Sequence, residues 1–272
     1  MICCALNPTN RKLHVCAVSY LNTVPLVWGM LHGPQRGIFH LDFRLPSECA
    51  DALASGAADV GIVPVIEMAR QRLEMIPGAG IACRGAVRSI LLLAKEYPEK
   101  IRTVAVDTSS RTSVMLARVL LAERYRVEPQ FIPHPPQLGP MLQAADAALI
   151  IGDPALRLRP ELLSLAAFDL GAEWMDMTGL PLVFAVWAGP KKAVSPDLEQ
   201  IFRGSCRFGL EHLEDIAQSE AGPRNMTPQL VRDYFTHNVV LELGEKEYEG
   251  MRLFLRLAGR FDILVSTGGA TA

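Results

Sequence analysis

The sequence predicts an α/β fold of two lobes with mainly parallel sheets, completed by C-terminal helices. Three observations predict it. As far as residue 190, short apolar or alternating runs take turns with helical patterns, the signature of strands joined by crossover helices. After 190 the strand signals stop and three helical segments follow. Two polar breaks, "EYPEK" (96–100) and "DMTGLP" (176–181), sit beside strong strands and mark places to change lobe. Lobe one is then 1–97 plus 181–272, and lobe two is 98–180. Two crossings make a hinge, and the cleft between hinged lobes is where small ligands bind.

Taken in order, "LHVCAV" (13–18) is a short buried strand that breaks at Ser19-Tyr20. "LNTVPLVWGML" then has helical spacing, with Pro25 suited to a first turn. "FHLDFRL" (39–45) alternates strictly, with Phe39, Leu41, Phe43 and Leu45 on one face, so it reads as a half-buried strand. "PSECADALASG" reads as a helix capped by Ser47 and stopped by Gly56. "ADVGIVPV" (58–65), "VRSILLLA" (87–94), "IRTVAV" (101–106), "DAALIIG" (146–152) and "PLVFAVWAG" (181–189) are the remaining strands. Helices are expected over 111–124, 138–145 and 154–159. The three C-terminal helices open at Ser195-Pro196, at Thr227-Pro228 and near "GEKEYEG", and "STGGATA" reads as a disordered tail.

The totals bound the function. The chain has 272 residues, half of them hydrophobic, which is enough for a sizeable core. Its 27 basic and 29 acidic residues give a net charge of −2, with no block of like charge, so nucleic acid and anionic membrane surfaces are not expected partners. No apolar run is long enough to span a bilayer. The short apolar run Ile2–Leu6 precedes Arg11-Lys12 instead of following a basic segment, so no signal peptide is expected and the protein reads as cytoplasmic. Cysteines at 3, 4, 16, 49, 83 and 206 lack paired spacing and lie near no histidine cluster; they read as buried thiols, and no metal is expected. The six histidines are scattered, and neither a nucleophile elbow nor H-E-x-x-H is present.

The chemistry-bearing residues sit where strands end. In "VAVDTSSRTSVMLARVLL", hydroxyl side chains crowd the turn between a strand and a helix. Free N–H groups, the helix dipole and the hydroxyls of Ser110, Thr112 and Ser113 favour an anion there, although a simple N-cap uses the same residue types. The absence of G-x-x-x-x-G-K points to a carboxylate or small oxyanion in place of a nucleotide triphosphate. Ser19 and Asn22 follow the first strand at the equivalent end; an Asx-turn is the other use of such an asparagine. Ser89 enters an apolar strand between flanking arginines, and its hydroxyl either bonds a nearby carbonyl or faces the cleft. Asp153 in "IIGDPAL" either caps a helix or faces the cleft.

Seven segments in order, "SYLNTVPL", "LPSECADALASGAADVGIVPV", "GAVRSILLLA", "VDTSSRTSVMLARVLL", "ALIIGDPAL", "DLGAEWMDMTGLPLVFAVWAG" and "DYFTHNV", resemble the chorismate dehydratase family of the futalosine route to menaquinone. The resemblance covers about residues 20 to 255. It implies a fold like type II periplasmic solute-binding proteins. It also implies a hydro-lyase that converts chorismate to 3-[(1-carboxyvinyl)oxy]benzoate, with a small dicarboxylate as partner and no cofactor; a homodimer is left open. By the same resemblance Asn22 sits beside the reacting centre, Ser89 binds one carboxylate, Ser110, Thr112 and Ser113 bind the other, and Ser19 and Asp153 belong to the cleft. No titrating group in these motifs is an obvious base, so the substrate's enolpyruvyl carboxylate is the candidate. Two rivals stand beside this reading. A dihydroxynaphthoate synthase shares the fold, but its N-terminal Ser-Pro-Cys-Pro-Asn-type motif is replaced here by SYLN. A non-catalytic carboxylate-binding protein is the other.

Overall fold

The computed structural model describes residues 11–262. Cys3, Cys4, the N-terminal leader question and the "STGGATA" tail lie outside the described residues.

The chain begins with β1 (His14–Val18), a 3-10 turn at Leu21–Thr23, α1 (Val24–His32), β2 (His40–Arg44), α2 (Pro46–Ala54), β3 (Val60–Pro64), α3 (Val65–Arg70) and β4 (Glu74–Cys83). It continues through β5 (Ile90–Ala94), β6 (Thr103–Val106), α4 (Arg111–Glu123), β7 (Gln130–Pro133), α5 (Leu138–Ala144), β8 (Ala147–Ile151), α6 (Gly152–Leu156), β9 (Ala166–Asp169) and α7 (Leu170–Thr178). It closes with β10 (Leu182–Gly189), α8 (Pro196–Glu211), α9 (Leu213–Glu220), α10 (Pro228–Asp233), a π-helical turn at Tyr234–Asn238, β11 (Val240–Glu242) and α11 (Glu245–Asp262).

Two sheets result. One has the order β11-β4-β10-β3-β1-β2 and the other β7-β6-β8-β5-β9. Within the first, β1 runs parallel to β2 and β3, while β10 is antiparallel to β3 and β4, and β11 to β4. Within the second, β6 is parallel to β7 and β8, while β5 is antiparallel to β8 and β9. The sheets are therefore mixed, not mainly parallel. In each, the strand that enters at a lobe crossing (β10 in one, β5 in the other) comes from the other sheet and pairs antiparallel with its neighbours.

The first crossing also differs from the expectation. Ile90–Ala94 hydrogen-bonds β8 and β9, so the second sheet begins at Ile90 and not after residue 97. The passage lies between Cys83 and Ile90; "EYPEK" is a connection between two strands of one sheet. The return runs through Gly179–Pro181 into β10.

Sequence periodicity missed β4, β7, β9 and β11. The segment "EMIPGAGIAC" carries Pro77 and two glycines, which read as breakers. In the structure the strand bulges there: Ile76 pairs with Trp187 but Gly80 with Val186, and Gly78 at φ +91 is accommodated between them. The bulge is held from outside, since the Gly78 N–H donates to the Tyr248 hydroxyl at 2.7 Å. The cap of α2 is Leu45 instead of Ser47; Pro46 occupies the first turn, and the Glu48 carboxylate reaches back to the Leu45 N–H at 2.9 Å. The alternation of 39–45 holds only at its start. Phe39 is buried, but Phe43 and Leu45 are 46% and 38% exposed, because β2 is an edge strand flanked on one side only. The first C-terminal helix is broken at His212 into α8 and α9.

The main core runs through both sheets. On β5, Ile90, Leu92 and Ala94 join it, while Leu91 and Leu93 face a second cluster with Met141 and Ala155 from α5 and α6. The second sheet is thus covered on both faces. α11 packs on α3, α4 and β10, and its Phe254 meets Trp174 of α7 edge-to-face at 5.9 Å, both fully buried. Trp28 and Trp187 are buried as well, and Cys16, Cys49, Cys83 and Cys206 are buried free thiols. α1 and α8 approach closely on small residues: the Ser205 hydroxyl donates to the Leu26 carbonyl at 2.8 Å, and a Cβ on Gly209 would run into the Pro25 carbonyl. Gly209→Ala is accordingly expected to lower stability by about 1–3 kcal/mol through overpacking, measured as a fall in the denaturation midpoint with an unchanged slope.

Candidate functional site

A narrow cleft of about 50 Å³ lies between the two sheets, at the carboxyl ends of β1, β3 and β8. The first sheet and its turns supply Tyr20, Asn22, Pro64, Ile81 and Phe184; the second supplies Ser89, Ser110, Ser113, Ile151 and Gly152. Among the described residues that line it there is no Asp, Glu, His, Lys or Arg, and Tyr20 is the titratable one. The walls are therefore apolar with a few uncharged donors.

The 107–113 turn explains its own composition. The Asp107 carboxylate accepts the Ser109 N–H at 2.9 Å and the Ser109 hydroxyl at 2.8 Å, an Asx-type turn that sets the entry into α4. Ser110 is the N-cap, extended at φ −116, yet its side chain makes no capping bond; its Oγ lies 2.8 Å from Ser113 Oγ. One of the two hydroxyls donates to the other, which leaves one proton and the first N–H groups of α4 for a guest. Arg111 points away from the cleft. Its guanidinium bonds Glu67 of α3 at 3.0 Å and Asp51 of α2 at 2.9 Å, and the Ser47 N–H donates to the Ser109 carbonyl at 3.0 Å. The turn is thereby fastened to the opposite sheet's helices. Thr112 is 1% exposed and does not line the cleft; its Oγ1 has no protein partner.

On the opposite wall, the Tyr20 hydroxyl lies 3.3 Å from Ser109 Oγ. Burial raises its pKa, with Asp107 and Asp153 adding to the effect and Ser109 opposing it, so the phenol keeps its proton at neutral pH. Asn22 follows two residues later, and its amide bears on the hydroxyl of Tyr234. That tyrosine, fully buried in the π-helical turn, donates to Ser89 Oγ at 2.9 Å. Burial pushes its pKa up, against the opposing hydrogen bond to Ser89. Since Ser89 accepts from Tyr234, its own proton is directed elsewhere, and the cleft is the open side. One phenol thus sets the orientation of Ser89, which lines the cleft.

Asn22, Ser89, Ser110 and Ser113 are brought together around the cleft, whereas Ser19, Thr112 and Asp153 do not line it. The last three depart from the expectation for identifiable reasons. The Ser19 N–H is paired with the Arg44 carbonyl at 2.9 Å, and its carbonyl accepts from Arg224 at 3.0 Å. Asp153 is buried and its carboxylate already occupied: one oxygen accepts the Leu21 N–H at 2.9 Å, the other the Arg224 guanidinium. It is not free to cap α6, whose N-cap is Ile151, nor to meet a guest. Gly152 makes this placement possible at φ +63, where a Cβ would sit 2.9 Å from two Tyr20 ring carbons. Among the described residues no group of three or more His, Cys, Asp or Glu side chains is arranged to hold a metal ion.

Tyr20, Tyr234 and Arg224 were not assigned roles by sequence reasoning. Tyr20 and Tyr234 lie inside two of the seven segments, but Tyr234 meets Ser89 across 145 positions, and no local pattern encodes that. Arg224 lies in an unremarked loop.

The chain matches the family described as "Menaquinone biosynthesis" over residues 13–260. It is 29% identical over 239 residues to a chorismate dehydratase of Thermus thermophilus, covering 81% of this chain and 87% of that one. It is 26% identical over 243 residues to a chorismate dehydratase of Campylobacter jejuni, covering 88% and 94%. Among solved structures, a protein from Archaeoglobus fulgidus superposes with a TM-score of 0.71 at 15% identity, covering 93% of this chain and 98% of that one. The periplasmic aliphatic sulphonate binding protein SsuA of Escherichia coli gives 0.62 at 14%, covering 93% and 87%. These likenesses show a periplasmic-binding-protein-like fold.

Tyr234→Phe is expected to cost about 1–2 kcal/mol of stability by stripping Ser89 of its buried donor, measured by denaturant titration. Gly152→Ala is expected to lower stability too, because a non-glycine residue is strained at that φ and the Tyr20 ring must move; an unchanged melting temperature would show that the ring yields freely.

Proposed function

Because the chain belongs to the menaquinone biosynthesis family, we propose that it is a chorismate dehydratase, a hydro-lyase that removes water from chorismate to give 3-[(1-carboxyvinyl)oxy]benzoate. The observation that carries the reading is the cleft itself: its lining is apolar apart from uncharged polar side chains, Ser110 and Ser113 at a helix N-terminus and Asn22, Ser89 and Tyr20 on other elements. A doubly negative ring acid needs donors at both ends and an apolar middle.

The reaction balances without an external reagent. The C3–H bond breaks, the C3–C4 double bond forms, and the C4 hydroxyl departs; proton and hydroxide leave as one water. The ring becomes aromatic, which supplies the driving force. On this reading Ser110, Ser113 and the N–H groups opening α4 hold one carboxylate, and Ser89 holds the other. Charge that spreads onto the ring carboxylate as C3 loses its proton is met by preorganised donors in a water-poor site. Asn22 orients the departing hydroxyl or the ring. No carboxylate or imidazole lines the cleft among the described residues, and this supports the substrate's enolpyruvyl carboxylate as the base. The two sheets with their helices act as lobes that close over the substrate. The route served is the futalosine one, and the reaction takes place in the cytoplasm.

The likeness to a sulphonate-binding protein favours a second reading, a carboxylate-binding protein without catalysis. Purified protein incubated with chorismate decides between them. The expected outcome is loss of chorismate with appearance of an aromatic enol ether by absorbance and mass spectrometry; tight binding with chorismate left intact would establish the second reading. Asn22→Ala is expected to lower kcat by about 10²–10³-fold with chorismate still bound. The paired change Ser110→Ala with Ser113→Ala is expected to raise KM about 10- to 100-fold through loss of hydrogen bonds to a charged group, read from initial rates.

A further inference from the structure

We infer that Asp153 and Arg224 are positioning residues that hold the Ser19–Asn22 turn in its working geometry only while the cleft is closed. The inference rests on the dehydratase reading and concerns the same site. Asp153 belongs to α6, at the end of β8 in the second sheet; Ser19, Leu21 and Arg224 belong to the part of the chain built on the first. Asp153 Oδ1 accepts the Leu21 N–H at 2.9 Å, and Oδ2 accepts Arg224 Nη1. The same Nη1 reaches the Ser19 carbonyl at 3.0 Å, and Arg224 Nε is held by Glu220 at 2.9 Å. One ion pair therefore grips both sides of Tyr20: the carbonyl before it and the N–H after it. Asn22 is the next residue, and it lines the cleft.

The ion pair is well sheltered, with side-chain exposures of 18% for Arg224 and 12% for Asp153. Its strength depends on that shelter, since a charged pair opened to water loses most of its attraction. Separating the two sheets removes Asp153 from both of its partners at once. The Leu21 N–H is then left to water, and the turn that carries Asn22 loses its anchor. Closure restores all of it together. The ion pair thus makes the placement of Asn22 conditional on closure without touching the substrate, and an asparagine displaced by about 1 Å is enough to cost about 100-fold in rate.

Three readouts test this on the full chain. Asp153→Asn keeps the size of the side chain and removes its charge. It is expected to lower kcat about 10- to 100-fold, while the Kd of chorismate, taken from single-turnover titration, shifts less than about threefold. Combined with Asn22→Ala, it is expected to add no further loss of kcat, because both changes disable the same residue. Hydrogen exchange of the Leu21 amide in the unliganded protein is expected to accelerate about tenfold in Asp153→Asn and in Arg224→Met. Loss of chorismate affinity in step with kcat/KM would make Asp153 a substrate ligand and overturn the inference. So would a fall in melting temperature at unchanged kcat, or multiplying effects in the double variant. The exchange measurement needs no turnover. If the wild-type protein leaves chorismate intact, the dehydratase reading fails by itself, and unchanged Leu21 exchange separately refutes the grip on the turn.

Discussion

The attachment of the 107–113 turn to the opposite sheet's helices is the constraint on which the cleft depends. Arg111 reaches Glu67 and Asp51, the Ser47 N–H takes the Ser109 carbonyl, and Tyr20 meets the Ser109 hydroxyl. These contacts fix the direction in which the first turn of α4 points. A helix N-terminus is useful to an anion only within its first turn, so a small rotation of α4 would turn its N–H groups toward the wall. The contacts also explain why the turn needs both a guanidinium and hydroxyls. The guanidinium fastens the turn from outside, and the hydroxyls of Ser110 and Ser113 face inward.

The same division of labour runs through the rest of the site. The charged groups that shape the cleft are engaged by other protein groups: Asp107 by its own turn, Arg111 by two carboxylates, Asp153 and Arg224 by each other. What remains for the guest is neutral. A neutral donor set in an apolar chamber binds a dianion through oriented dipoles whose desolvation cost is lower than that of free charges. The buried phenol of Tyr234 completes the arrangement by engaging Ser89 and Asn22 from behind.

Much of this was legible in the sequence, and the failures are instructive. Strands β3, β8 and β10 are continuous apolar runs because both of their faces are covered, and continuous runs are hard to mistake. The Ser110–Ser113 cluster was visible because it packs more hydroxyls into a strand-to-helix junction than capping alone uses, and the Ser110 side chain indeed makes no capping bond. β4 was invisible because its bulge requires the residues that elsewhere end strands. The first change of sheet was misplaced by a whole strand. "EYPEK" advertises a break, but a polar loop looks the same whether it joins two strands of one sheet or two sheets. Asp153 was correctly noticed and wrongly assigned, since a sequence does not show that an arginine 71 positions later occupies one of its oxygens. Tyr234 lay inside a recognised segment, but nothing local to it showed that it meets Ser89 across 145 positions.

The two passages between the sheets leave from neighbouring strands and land on neighbouring strands. Cys83 at the end of β4 is the register partner of Leu182 at the start of β10, and Leu91 of β5 is the partner of Asp169 of β9. Asp169 binds them together at the far side, accepting the N–H groups of Val87 and Arg88 from one passage while capping α7, which leads into the other. Two ribbons clamped side by side at both ends flex about one line, as a door does. Ser89 is the last residue of the first passage, joined directly to β5, whereas Ser110 opens α4 on the second sheet. A swing about that line would disturb the Tyr234–Ser89 bond, beside the passage, less than the contacts that tie the mouth of α4 to α2 and α3.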